Sequence, residues 1–319
     1  TISNNASTTN FIIASGVTVA APTLLSVGGT FTQGGSFTDG GGSNTVYFSG
    51  AGQTISGTMN SATTDFNNVE FIGSGTKTIS SNASTTAFTI GSGVTVSAPS
   101  LLSIRGSYAN SGTFTHNSGK VLLDGTTQQT LSGALGAGGT SAFSDLEISN
   151  TIGDGGVTQS IVFSSAASTT GTFTMKASTS AQFLAGPTAT SSFQNIVWDG
   201  LAALTRVWLR SSSDGTAWGL KVPGSRTVAY VNVKDSRACS NFTDIDASDG
   251  TSVDATGNTC WGFPLGDPAL DLIHFRWRND DGGETSATYS LAEDLNLTND
   301  IFVGDRRRLR MQIKNTGTG

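Results

Sequence analysis

The sequence predicts an all-β chain: a parallel β-solenoid (β-helix) of 77-residue repeats followed by a small, apparently incomplete β-sandwich-like module. Three observations lead there. The stretch Thr1-Ile2-Ser3-Asn4-Asn5-Ala6-Ser7-Thr8-Thr9 returns as Thr78-Ile79-Ser80-Ser81-Asn82-Ala83-Ser84-Thr85-Thr86, 77 positions on. Apolar residues fall in short runs of period two, divided by clusters of Gly, Ser, Asn and Thr. No stretch of about ten residues carries apolar positions at helical spacing. A long period built from short strands marks a stacked architecture in which each unit covers its neighbour. An antiparallel sandwich or a propeller is the competing arrangement.

The first repeat spans 1–77. Phe11 and Ile13, Val17 and Val19, Leu25 and Val27, Val46 and Phe48, and Val69 and Phe71 alternate with polar residues and read as strands. Gly34-Gly35 and Asp39-Gly40-Gly41-Gly42 supply turns. About nine such runs per unit make three to four coils of roughly 20 residues each. In the second repeat, 78–152, Val94-Thr95-Val96 answers Val17-Thr18-Val19, Tyr108 stands for Phe31 and Leu131 for Ile55. Ile2 with Ile79, Phe11 with Phe88, Val19 with Val96 and Leu25 with Leu102 are therefore expected at matching inward positions. A degenerate repeat follows over 153–200, where Ala167-Ser168-Thr169-Thr170 echoes Ala83-Ser84-Thr85-Thr86. Its closing strand, Phe193-Gln194-Asn195-Ile196-Val197-Trp198, matches Phe66–Phe71 and Phe143–Ile148. The final coils are expected over 201–264 and the separate module over 265–319.

Composition narrows the function. The chain carries 17 Lys and Arg against 23 Asp and Glu, and no basic stripe with interleaved aromatics, so nucleic acid is not an expected partner. No run of about 20 apolar residues is present to span a membrane. The chain starts at Thr1 without Met, which reads as a mature or trimmed product. Cys239 and Cys260 are the two cysteines. A bridge between them would close a turn-rich loop, removing about 3 kcal/mol of unfolded-chain entropy, and would imply an oxidising, extracellular setting. Two buried free thiols are the alternative.

The passage Thr227-Val228-Ala229-Tyr230-Val231-Asn232-Val233-Lys234-Asp235-Ser236, with Asp249-Gly250-Thr251-Ser252-Val253-Asp254 and Asn258-Thr259-Cys260-Trp261-Gly262-Phe263, resembles the last coils of large secreted β-helix proteins of bacteria. Phe275-Arg276-Trp277-Arg278-Asn279-Asp280-Asp281-Gly282-Gly283-Glu284-Thr285 is similar to a module that follows such coils in cell-surface proteins of uncultured bacteria. The resemblance implies an exported surface protein. It implies no catalysis.

Signals for chemistry are sparse. His116 and His274 lie in unlike contexts and suggest no triad, and the acids of the repeat region are scattered singly, so an enzyme is not expected. His116 falls beside a turn, where its equivalent is Asp39. No cofactor is expected, with Ca²⁺ as the one candidate: Asp244, Asp246 and Asp249 on one loop, and Asp280, Asp281 and Glu284 around a glycine turn, are candidate oxygen ligands.

Near the C-terminus, Ile273, Phe275 and Trp277 alternate with His274, Arg276 and Arg278. Leu309, Met311 and Ile313 alternate with Arg308, Arg310, Gln312 and Lys314. These are expected to be half-buried strands with basic outer faces, and Arg276, Trp277, Arg278, Arg308 and Arg310 form the candidate assembly interface. The uncapped start and the strand-poor module predict completion by other copies of the chain. The expected function is an extracellular, non-enzymatic structural protein of a filament or surface array. A monomeric adhesin stalk binding a glycan or host surface, or a polysaccharide-active β-helix enzyme, are the alternatives.

Overall fold

A computed structural model describes residues 2–38, 43–60, 65–136, 140–153, 155–156, 158–239, 244–264, 270–283, 285–296 and 306–315. The described residues contain no helix. The chain divides into two units, Thr1–Phe263 and Pro264–Gly319.

The first unit is a parallel β-solenoid of about ten turns. Each strand pairs in parallel with the strand one coil away, so backbone N–H and C=O groups are satisfied between coils. Leu25 pairs with Val46, Val46 with Val69 and Val69 with Phe88, forming one column of inward side chains. The period of two read from the sequence is the alternation between this interior and the outside.

The repeat recurs as contacts. Phe11 pairs with Phe31 and stacks on it at 5.6 Å; 77 residues on, Phe88 pairs with Tyr108 and stacks at 5.8 Å. The edge-to-face pair Phe31–Phe37 likewise returns as Tyr108–Phe114. Such pairs add about 0.5–1.5 kcal/mol each beyond burial. Buried amides recur as well. Gln53 donates to Val27 O and Gly29 O while accepting from Gly50 N, and Gln129 donates to Ile104 O and Gly106 O while accepting from Gly125 N. Each clamps a turn to the coil beneath it.

The 77-residue unit is not a whole number of coils. In the first copy Phe11 and Phe31 lie in a six-stranded sheet; in the second, Phe88 and Tyr108 lie in the 20-stranded sheet, in the column of Leu25. Val96 and Phe114 then take up the six-stranded sheet, although their counterparts Val19 and Phe37 form a two-stranded sheet of their own. Each copy is turned about the axis by one face.

Of the four pairs expected to match, Leu25 and Leu102 are equally buried at 1%. The other three differ: Ile79, Phe88 and Val96 are buried, whereas Ile2, Phe11 and Val19 are half-buried. Phe11 and Val19 still pack against the core cluster, so their direction is inward. The difference follows from their place in the first described coil, which has a described neighbour on one side only.

Cys239 and Cys260 form a disulfide with sulfurs 2.00 Å apart, which removes the alternative of two free thiols. It joins two loops of the last coils, where strands shrink to two residues, as in Ile245–Asp246 and Trp261–Gly262. Reduction is expected to speed hydrogen exchange over residues 231–263 while leaving residues 66–183 unchanged, as read by mass spectrometry.

Tyr108 marks an imperfection. Its hydroxyl is buried with no well-formed hydrogen bond, the Asn110 side chain being its polar neighbour, and burial pushes the phenol pKa up. The nearby Asn110 amide already donates to Ala134 O and accepts from Gly112 N. Phe31 fills the equivalent place in the first copy, so Tyr108→Phe is expected to stabilise the solenoid by about 1 kcal/mol. Phe88→Ala is expected to cost about 3–5 kcal/mol and Phe11→Ala less, because Phe11 is only half-buried. Urea denaturation checks all three.

Candidate functional surfaces

The C-terminal unit is built on two strands, Leu270–Asn279 and Arg307–Asn315, paired antiparallel. This small antiparallel sheet stands where a sandwich-like module is expected, and no second sheet faces it among the described residues. A register shift between Leu272 and His274 keeps the apolar residues together: Leu272 opposite Ile313, Phe275 opposite Met311, Trp277 opposite Leu309. The opposite face pairs His274 with Gln312, Arg276 with Arg310 and Arg278 with Arg308. Like charges placed directly across from each other repel, so this face needs compensation.

The segment after Asn279 supplies it. Arg278, only 4% exposed, donates to the carbonyls of Gly282 and Gly283. Arg276 donates to Leu291 O and lies over the Tyr289 ring at 4.1 Å, while Arg310 donates to the Tyr289 hydroxyl. Arg308 pairs with Asp280 at 2.8 Å. The basic face is partnered from within the unit, with Arg276 and Arg278 covered and Arg308 and Arg310 still exposed. The apolar face is open as well: Leu272, Leu309, Met311 and Ile313 are 44–54% exposed. Trp277 sits half-buried on that face. Arg276, Arg278, Arg308 and Arg310, expected at an assembly interface, each hold a partner within the unit: a backbone carbonyl, a phenol or a carboxylate.

Asp244, Asp246 and Asp249 do not converge as a ligand group. Asp246 accepts from the Ser248 N–H and hydroxyl, and Asp249 from the Thr251 N–H and hydroxyl. Both carboxylates close their own turns, and Asp244 joins no ligand group with them. Asp280 belongs to Arg308, and Asp281 accepts from the Thr288 N–H at 2.9 Å. Glu284 lies outside the described residues. His116 is a turn residue whose Nδ1 accepts from Ser118 N at 3.0 Å.

One group was missed in the sequence. His274, Glu293 and Asp294 bring their ligand atoms within 4.8 Å of one another, the one such group of three among the described residues. His274 Nδ1 lies 2.7 Å from Asp294 and 3.2 Å from Glu293, and Asp294 also accepts from Phe275 N. Nothing in the spacing of residues 274 and 293–294 announces this. The group closes the covering segment onto the edge of the Leu270–Asn279 strand and borders a cavity of about 420 Å³ lined by Arg276, Tyr289 and Arg310.

The hydrogen bond to Asp294 raises the His274 pKa, and the same bond lowers that of Asp294. A raised histidine contributes stability that is fully present below its unfolded value of about 6.5 and lost as pH rises through the raised folded value. A depressed carboxylate contributes above its unfolded value of about 3.9 and loses that as pH falls through its lowered one. The clasp should therefore hold best between about pH 4 and 6.5. An NMR titration is expected to place the His274 midpoint above the usual histidine value, and Asp294→Asn to bring it back.

No protein-family model, curated protein or solved structure matches the chain.

Proposed function

We propose that this protein is an extracellular, non-enzymatic structural component, a subunit of a filament or surface array, of the kind its resemblance to secreted bacterial β-helix proteins implies. The observation that carries the reading is the open apolar face of the C-terminal sheet. Leucine, methionine and isoleucine side chains about half exposed in one patch favour burial by a partner. The Arg307–Asn315 strand pairs on one side only among the described residues, so its other edge offers backbone groups for strand addition. A second copy of the chain supplies both a like apolar face and a like edge. The disulfide favours an oxidising compartment outside the cytoplasm. The β-solenoid suits a repeat protein of structural or adhesin type.

Light scattering and negative-stain electron microscopy test the proposal. The full chain is expected to form assemblies whose size grows with concentration. Met311→Asp and Leu309→Lys, which place charge in the patch, are expected to weaken association at least about tenfold, about 1.4 kcal/mol. Because the contact is apolar, raising the salt should not dissolve the assemblies. A full chain that stays monomeric at all concentrations would remove self-association and leave the adhesin reading.

A further inference from the structure

The six-stranded sheet of the solenoid carries an ordered exterior that self-association does not use. Its strands Phe11–Ile13, Phe31–Gln33, Gly52–Gly57, Gly75–Ile79, Val94–Ser97 and Thr113–Thr115 pair in parallel without a register shift. Alternation turns Gln53, Lys77, Val96 and Phe114 inward, where all four are buried. Outward, Thr76, Thr95 and Thr113 stand in one row. Thr54, Thr78, Ser97 and Thr115 stand in a second row beside it. All seven are exposed or half-exposed.

Three features set this face apart. Neither row holds a charged or aromatic side chain; Lys77 is turned inward with its Nζ donating to Ser74 O at 2.6 Å. No hydroxyl of the six threonines hydrogen-bonds to another described residue. Ser97 is the exception, accepting from Asn117. Nor are the threonines copies of one another: Thr76, Thr95 and Thr113 occupy three different positions of the 77-residue unit, and Thr76 of the first copy joins Thr95 and Thr113 of the second in one row because the copies are turned. A comparable outward row on the large sheet, Tyr47, Glu70, Thr89, Ala109 and Ser132, mixes residue types.

Strands of a parallel ladder lie about 4.8 Å apart and same-face residues along a strand about 6.6 Å apart, so the side chains of the two rows spring from a near-rectangular lattice of those spacings. A prism face of hexagonal ice also repeats its oxygen atoms on a rectangle, close to the rung spacing in one direction and about a tenth longer than the along-strand spacing in the other. Each threonine offers a hydroxyl that joins a water network and a methyl that fills the space beside it, and bridging water binds almost as well as a direct partner. A dissolved sugar would call for an aromatic platform, and an ion for charge; this face has neither. We propose that the paired threonine rows bind the surface of ice, held through water ordered in register with the rungs. The inference is independent of self-association.

The test uses the fluorescently labelled full chain and ice grown slowly from buffered water. Wild-type protein is expected to be drawn into the growing ice and to shape seeded crystals. Thr95→Tyr and Thr78→Lys, at outward positions of the two rows, are expected to be left in the liquid, with circular dichroism and melting unchanged. Thr89→Tyr, outward on the other sheet, should be incorporated like wild type. Exclusion of the wild-type protein from ice, equal incorporation of the row variants, or retention on microcrystalline cellulose without incorporation into ice would each overturn the proposal. Particle mass is read separately, so loss of ice affinity and loss of assembly are distinguishable.

Discussion

The structure depends on the parallel backbone ladder between coils. A single coil of about 20 residues can neither bury its apolar side chains nor satisfy its own backbone groups; it does both through the coils beside it. The ladder also fixes side-chain direction, because a slip of one residue would send the whole inward set to solvent. Turns are held to the same discipline. The amides of Gln53 and Gln129 each tie a turn to two carbonyls of the preceding coil, so polar residues inside the solenoid extend the ladder around its corners.

The C-terminal sheet obeys a different constraint. Guanidinium groups set directly across a strand pair must find acceptors, and the covering segment brings carbonyls, Tyr289 and Asp280 to them. The covering segment therefore follows the charges: it buries Arg278 and half-buries Arg276, while Arg308 and Arg310 keep their partners at the surface. The outcome is a sheet whose basic side finds its partners within the unit and whose apolar side stays open.

Much of this was legible in the sequence, and the limits have physical reasons. Recurrence of Phe11 and Phe31 as Phe88 and Tyr108 marked inward positions one unit apart, because copies of a coil must satisfy the same ladder, whereas their pairing and stacking on each other appear only in the structure. The rotation between copies was not legible, since the count of residues per coil depends on turns such as Gly34-Gly35 rather than on the apolar positions. Alternation around Arg276 and Arg310 showed which residues share a face, but not which face is covered, because the covering segment is itself polar and irregular. The clasp of His274, Glu293 and Asp294 joins positions about 20 residues apart with no shared pattern. The aspartates at 246 and 249 illustrate the converse: their spacing suits a metal and suits a turn equally, and the adjoining Ser248 and Thr251 donors make it a turn.

The mismatch between the 77-residue unit and the coil has an evolutionary reading. Tandem duplication of such a unit acts like advancing a screw by a fraction of a thread: the copy lengthens the stack and also points the duplicated side chains in a new direction. Selection on one face would therefore fall on different positions in each copy, whereas the inward pattern is held in every copy by the same ladder. Drift of that kind erases the sequence repeat from the outside inward, and it offers one account of a period that is plain in the first 150 residues and fades toward residue 200.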